Sequence, residues 1–253
     1  MLNKRVVRLG RVKSSHLIKQ LPSGMKQTAV NENHNAALLA LVPLGSRRII
    51  EIGCGGGGFA REYKKLNPRC EYIGIELEPD YAEIARSHCD KVIVCNIEHM
   101  EDAAFASLFP SDCWIFGDVL EHLYDPWSVL RRIRTSLSPD GSVLACIPNA
   151  QHWSVQALLN RGEFRYQDSG LFDRTHIRWF TKTTLIDLFR TTGFTIVEGG
   201  ARLIEAPEES WKGKGLDRRS CNGRGDRWGC RCRGRKRDPI SMDRPRYSGV
   251  TMQ

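Results

Sequence analysis

Short apolar runs of strand length alternate along this chain with stretches whose apolar residues recur at helical spacing. Arg48-Ile-Ile-Glu-Ile52, Glu71-Tyr-Ile-Gly-Ile75, Lys91-Val-Ile-Val-Cys95, Cys113-Trp-Ile-Phe-Gly117 and Gly141-Ser-Val-Leu-Ala-Cys-Ile147 are dominated by β-branched, aromatic and other apolar residues and read as strands. The intervening segments read as helices: Asn35–Val42, broken by Pro43 and Gly45; Phe59–Leu66; Pro79–Cys89, with proline in its first turn; and Trp127–Leu137, followed by the turn Ser138-Pro-Asp-Gly141. Thr181 can cap a further helix that runs to Thr192 and stops at Gly193, before a strand at Phe194–Glu198.

Strands buried on both faces and joined by helices form a parallel sheet covered on both sides. The expected architecture is therefore α/β: a Rossmann-like, doubly wound, mostly parallel sheet with its ligand crevice beyond the carboxyl ends of the strands. Residues 148–180 depart from the alternation and are rich in Trp, His, Arg and Tyr, so contacts to a second ligand are expected there.

The first strand empties into Gly53-Cys-Gly-Gly-Gly-Gly58. A glycine turn at the head of a helix lets backbone N–H groups approach a nucleotide-like ligand without obstruction by Cβ atoms. Gly53-x-Gly55-x-x-Gly58 fits a dinucleotide fingerprint, whereas Glu51-x-Gly53-x-Gly55-x-Gly57 fits a different one. An acid two residues before the first glycine would face a pyrophosphate unfavourably and suits a cationic ligand.

With Glu51-x-Gly53-x-Gly55-x-Gly57, Tyr72-Ile-Gly-Ile-Glu76 and Asp118-Val-Leu-Glu-His-Leu-Tyr-Asp-Pro126, residues 35–200 resemble a class I S-adenosylmethionine-dependent methyltransferase of the ubiquinone-type O-methyltransferase group. The resemblance implies a cofactor site made by Glu51, Gly53, Cys54, Gly55, Gly57, Glu76, Asn96, Ile97 and Asp118. Glu51 would receive the cofactor's ammonium and Glu76, with Glu78 as a rival, the ribose hydroxyls. Where the family has an acid after its third strand this chain has Asn96, whose amide oxygen can still accept from the adenine amino group while Ile97 packs on its face. The alternative is that Asn96 only caps the loop.

Asp118, Glu121 and His122 follow the fourth strand at spacing i, i+3, i+4 and share one face of a helical turn. In the resembling ubiquinone-type and small-RNA 2′-O-methyltransferases an acid-x-x-Glu-His arrangement is associated with a divalent metal. His122 can alternatively act as a general base, or merely fix the loop. The candidate catalytic set is His122, Asp118 and His152; His152 and His176 are the candidates for completing a metal site, and a metal is left open. Arg174 and Arg178 either meet an anionic substrate or pair internally with Asp168 or Asp173.

Charge sharpens the division of the chain. The net charge is +9, and residues 210–253 hold 13 Lys or Arg against 4 Asp or Glu, so this segment matches the whole net charge and residues 1–209 taken together are neutral. With Leu216, Ile240 and Val250 as its only aliphatic residues, the segment is expected to be disordered. It can be read as an RNA-binding arm with stacking tryptophans, as a solvated tail, or as a sequence that left its ancestral reading frame near Ser210. The family's antiparallel last strand would then be incomplete, or formed by Ala201–Ala206.

Residues 1–30 are basic without an acid and form an arm, or an extension if Met25 is the start. The expected division is thus 1–30 as arm, 31–209 as methyltransferase domain and 210–253 as Arg/Gly-rich tail. Six of the nine cysteines are scattered without paired spacing, as suits a reducing compartment such as the cytoplasm, and Cys230-x-Cys232 lacks a second pair at zinc-finger spacing. No stretch approaches the roughly 20 apolar residues of a membrane span.

The resulting expectation is methyl transfer to a small-molecule or glycan acceptor, at oxygen given the Glu121-His122 resemblance, with nucleic acid not expected as substrate and no oligomeric state specified. A nucleotide-sugar oxidoreductase is disfavoured by Glu51 and by the lack of a Tyr-x-x-x-Lys pair. Alternatives of another kind are a basic-tailed nucleic-acid-binding protein or RNA methyltransferase, and a truncated inactive domain.

Overall fold

A computed structural model describes residues 34–202 and 227–234 of the chain. The elements are α1 (Ala36–Leu39), β1 (Arg48–Ile52), α2 (Gly58–Leu66), β2 (Glu71–Glu76), α3 (Pro79–Ala85), β3 (Lys91–Val94), α4 (Asp102–Ala106), β4 (Cys113–Gly117), α5 (Pro126–Ser136), β5 (Ser142–Pro148), α6 (Trp153–Asn160), α7 (Lys182–Thr191), β6 (Phe194–Arg202) and β7 (Arg227–Gly234), with short 3-10 turns at Ile97–His99 and Leu120–His122. The strands form one sheet in the order β3-β2-β1-β4-β5-β7-β6. Pairs among β1 to β5 are parallel, and β7 runs antiparallel to both β5 and β6.

Residues of β1 alternate between two apolar layers. Ile50 and Ile52 join Trp114, Phe116 and Leu130 on one face, while Ile49 joins Leu38, Tyr63 and Tyr72 on the other. Glu51 shares the parity of Ile49 and enters the second layer. The helices are started by local chemistry: the Asp125 side chain accepts from Ser128 N ahead of Pro126 in α5, and Thr181 and Thr184 form a reciprocal capping box on α7.

The order of the sheet reverses beside β1, which pairs with β2 on one side and β4 on the other. Ile52 stands opposite Phe116, so the turns leaving β1 and β4 emerge side by side. This is the topological switch point at which an open α/β sheet receives its ligand.

One expectation fails within the described residues. The segment after Ser210, expected to lack order, supplies β7, so the sheet has seven strands and its antiparallel strand is present. Counting aliphatics concealed the reason. Cys230-Arg231-Cys232-Arg233 alternates buried and more exposed positions, and a reduced cysteine buries as a small hydrophobe. Both thiols lie in the same layer as Phe194 and Leu188, with sulfurs 3.7 Å apart, and Arg231 pairs with Glu198 of β6 at 3.1 Å. Ala201 and Arg202 close β6 rather than beginning a separate strand. Residues 1–33, 203–226 and 235–253, and the expectations attached to them, lie outside the described residues.

Candidate active site

The turn after β1 is held by backbone contacts before any ligand arrives. Gly53, Gly55 and Gly57 all have positive φ, of 66°, 51° and 80°. At Gly53 a side chain is also excluded by space, because a Cβ would stand 2.6 Å from Val119 Cγ2 in the turn after β4. The Gly53 amide donates to the Ile75 carbonyl at 2.7 Å, and the Gly55 amide to Glu76 Oε2 at 2.7 Å. Glu76 Oε1 accepts from the amides of Leu77 and Glu78 at 2.8 and 3.0 Å. A carboxylate offers about four acceptor sites. Glu76 thus spends most of its capacity on the two turns it joins, while Glu78 precedes α3 as its N-cap residue.

Glu51 is 6% exposed, and its Oε2 accepts from the Tyr72 hydroxyl at 2.9 Å. Burial pushes its carboxyl well above the usual range; nearby Cys89 and Glu76 push the same way, and the Tyr72 hydrogen bond opposes them. A ligand cation at this point would reverse the balance. Cys54 is buried beneath the turn, and a hydrogen bond with Cys89, followed by burial, raises its thiol. The room it occupies exists because Gly74 has no side chain: a Cβ there would lie 2.5 Å from the Cys54 sulfur. Cys54 therefore supports the turn from within.

Asn96 Oδ1 accepts from Glu98 N at 2.9 Å and caps the following 3-10 turn. Ile97 is buried in the core layer with Ile52 and Ile73, so it presents no open face for an adenine ring. Asp118 has φ of 59°, the only positive value at a non-glycine residue among the described residues. That conformation costs on the order of 1–2 kcal/mol and is sustained here by the Asp118 N to Cys146 O hydrogen bond of 2.9 Å at the end of the sheet.

From Asp118 the chain turns at once into Leu120–His122. Glu121 is 1% exposed, and its carbonyl accepts the amides of Ile177 and Arg178 at 3.0 and 2.9 Å, docking the 171–178 segment on the turn. His176 is thereby brought to Glu121 and His122. Its Nε2 lies 3.9 Å from Glu121 Oε1, and the two imidazoles meet edge to face with centroids 4.8 Å apart. One ligand atom from each of the three residues lies within 4.8 Å of the others.

The remaining nitrogens define the tautomers. His122 Nδ1 is 3.1 Å from the Thr175 carbonyl and His176 Nδ1 is 3.2 Å from the Leu171 carbonyl. A carbonyl can only accept, so each Nδ1 bears a proton, and a ring without a second proton has its lone pair on Nε2. With both Nε2 atoms unprotonated, the two rings and the buried carboxylate can serve as a donor set for a cation, with the imidazole orientation typical of metal ligands.

His152 does not join this set. It caps α6, with Nδ1 2.7 Å from Ser154 Oγ, which explains its place after β5. Arg174 pairs with Asp168, and Arg178 donates through Nε to the Tyr124 carbonyl at 3.1 Å, so both are engaged internally. Beside His176 stands an aromatic wall that sequence reasoning did not single out: Trp179 is 6.2 Å from the His176 ring and 5.0 Å from Phe164, which in turn meets Tyr166 at 5.5 Å between centroids. Its signal was the aromatic enrichment of residues 148–180.

Residues 24–199 match the model of a methyltransferase domain. The chain belongs to that methyltransferase family. Over 178 residues, covering 69% of this chain and 70% of the relative, it is 25% identical to a ubiquinone biosynthesis O-methyltransferase of Cereibacter sphaeroides. The fold is similar to that of an S-adenosylmethionine-dependent methyltransferase of Thermotoga maritima described as a possible histamine N-methyltransferase, with TM-score 0.55, 22% identity, and 78% of this chain and 86% of that one covered. It is also similar to the plantazolicin methyltransferase in complex with SAH, with TM-score 0.53, 14% identity and coverage of 76% and 77%. This methyltransferase uses S-adenosylmethionine as its methyl donor. Among the described residues, no helix is long and apolar enough to cross a membrane.

Proposed function

We propose that this methyltransferase transfers the methyl group to a hydroxyl oxygen of a small-molecule acceptor bearing a flat ring, with a divalent cation held by Glu121, His122 and His176. The observation that carries the reading is the convergence of these three residues while both Nδ1 atoms face backbone carbonyls. Oxygen as the acceptor atom is supported by the ubiquinone-biosynthesis relative, whose named activity is O-methylation.

Methyl transfer from a sulfonium is a direct displacement, so the protein's task is alignment and exclusion of water. Glu51 receives the ammonium of the donor, the glycine turn lies along it, and the remaining acceptor capacity of Glu76 meets the ribose. The Trp179 and Phe164 rings hold the acceptor's flat face next to His176. When bound, a divalent cation at the three residues supplies Lewis acidity that lowers the pKa of a hydroxyl near it. One carboxylate with two imidazoles suits a borderline ion such as Zn²⁺, Fe²⁺ or Co²⁺ better than Mg²⁺.

A second reading has His122 as general base. Its support is the same Nε2 lone pair on a half-buried ring. Incubating the protein with S-adenosylmethionine and a panel of hydroxylated and aminated aromatic compounds, followed by mass spectrometry and positional NMR, tests the acceptor class. Gain of one methyl group on oxygen is expected; methylation confined to nitrogen overturns it.

A further inference from the structure

The two imidazoles are oriented by one short segment, and that segment is organised by Asp173. Asp173 is 4% exposed, and its Oδ1 accepts from both the Thr175 amide at 2.8 Å and the Thr175 hydroxyl at 2.6 Å. The His176 amide returns to the Asp173 carbonyl at 3.0 Å. This closes a tight turn in which Thr175 has a fixed peptide plane, and the Thr175 carbonyl is the acceptor for His122 Nδ1. His176, the next residue, is carried by the same turn, with its own Nδ1 on the Leu171 carbonyl.

We infer that Asp173 is a positioning residue for the His122 and His176 pair, and that through Thr175 it fixes both rings with the proton on Nδ1 and the lone pair on Nε2. The inference rests on the reading of Glu121, His122 and His176 as a cation site, and it adds the reason why residues from two separate segments present the correct nitrogens together. A carboxylate that accepts two hydrogen bonds from one neighbouring residue leaves that residue little freedom to rotate its carbonyl. Without the turn, the Thr175 carbonyl is released from its aim at His122 and the imidazole can flip or change tautomer. Outer partners of this kind alter metal affinity by about 10- to 100-fold in metalloproteins generally.

Co²⁺ titration of the full chain, read by the visible ligand-field absorption, and ¹H–¹⁵N NMR of the imidazole nitrogens without metal test this together. Asp173→Ala is expected to weaken Co²⁺ binding about tenfold or more and to broaden or shift the Nδ1–H tautomer signals of His122 and His176. Asp173→Asn keeps an acceptor oxygen for Thr175 and is expected to restore most of both readouts. Thr175→Val, which removes one of the two bonds and is milder on folding, is expected to give a smaller loss in the same direction. A folded Asp173→Ala, or Thr175→Val if Asp173→Ala does not fold, with unchanged Co²⁺ affinity and unchanged tautomers overturns the inference. If the wild-type protein shows no Co²⁺ band, the cation reading fails by itself; the inference then also fails unless the tautomer signals still change in Asp173→Ala.

Discussion

Glu76 Oε2 accepts the Gly55 amide at 2.7 Å, so the acid that ends the second strand holds the turn that ends the first. With Leu77 and Glu78 on its other oxygen, Glu76 ties together the turns that leave the first and second strands. Glu76→Gln places an amide NH₂ against backbone N–H donors. It is expected to lower folding stability by about 1–3 kcal/mol and to weaken S-adenosylmethionine binding about tenfold or more, since each 1.4 kcal/mol is a factor of ten. Thermal unfolding and calorimetric titration check the two effects; a variant unchanged in both contradicts the assignment.

Glu51 predicts a proton released on binding. Because its folded-state carboxyl is raised by burial, its contribution to stability is complete below the ordinary Glu value of about 4.3 and is lost as pH rises through the raised value. In the unliganded protein, Glu51→Gln should therefore gain stability over wild type as pH rises above the ordinary Glu value of about 4.3. The ammonium of S-adenosylmethionine favours the ionised carboxyl, so wild type should release a proton on binding. Calorimetry in buffers of different ionisation enthalpy reads this directly; a buffer-independent enthalpy in wild type would count against Glu51 as the ammonium site.

Asn96→Asp should keep the cap, since an aspartate oxygen can accept from Glu98 N as the amide oxygen does. S-adenosylmethionine affinity is expected to be equal or better, because the charged oxygen is the stronger acceptor for the adenine amino group. A loss of tenfold or so on titration would contradict an acceptor role for residue 96 toward the adenine amino group.

The seventh strand makes truncation costly. Removing residues 210–253 takes away β7, which pairs with both β5 and β6, and exposes two strand edges together with the apolar layer that Cys230 and Cys232 cover. Differential scanning calorimetry should show loss of the single cooperative transition. A truncated chain that melts at the wild-type temperature would mean that β7 contributes nothing to the fold.

These residues also show what was legible in the sequence. Glu51, the glycine turn and the strand pattern of the parallel sheet could be read because their signals are contiguous and local. The partnership of Glu51 with Tyr72 could not, since it depends on the register that sets Ile49 opposite Tyr72 and leaves Gly74 opposite Glu51. His152 and His176 were equivalent candidates until the Glu121 carbonyl was seen to dock the 171–178 segment, bringing in one histidine and leaving the other on its helix cap. The place of Ile97 could not be read either, because an apolar residue after the third strand serves the core as readily as a ligand face, and the structure buries it in the core layer. In the basic tail a period of two was written in cysteine and arginine, which a count of aliphatic residues does not detect.

The most direct measurement of the central proposal is methyl transfer from radiolabelled S-adenosylmethionine to a phenolic acceptor with vicinal hydroxyls, before chelation, after exhaustive chelation, and after return of Zn²⁺, Fe²⁺ or Co²⁺. With Glu121, His122 and His176 as a cation site, transfer to oxygen is lost on chelation, recovers with the metal, and fails to recover in His176→Ala. Full transfer after chelation, with His176→Ala as active as wild type, would contradict it.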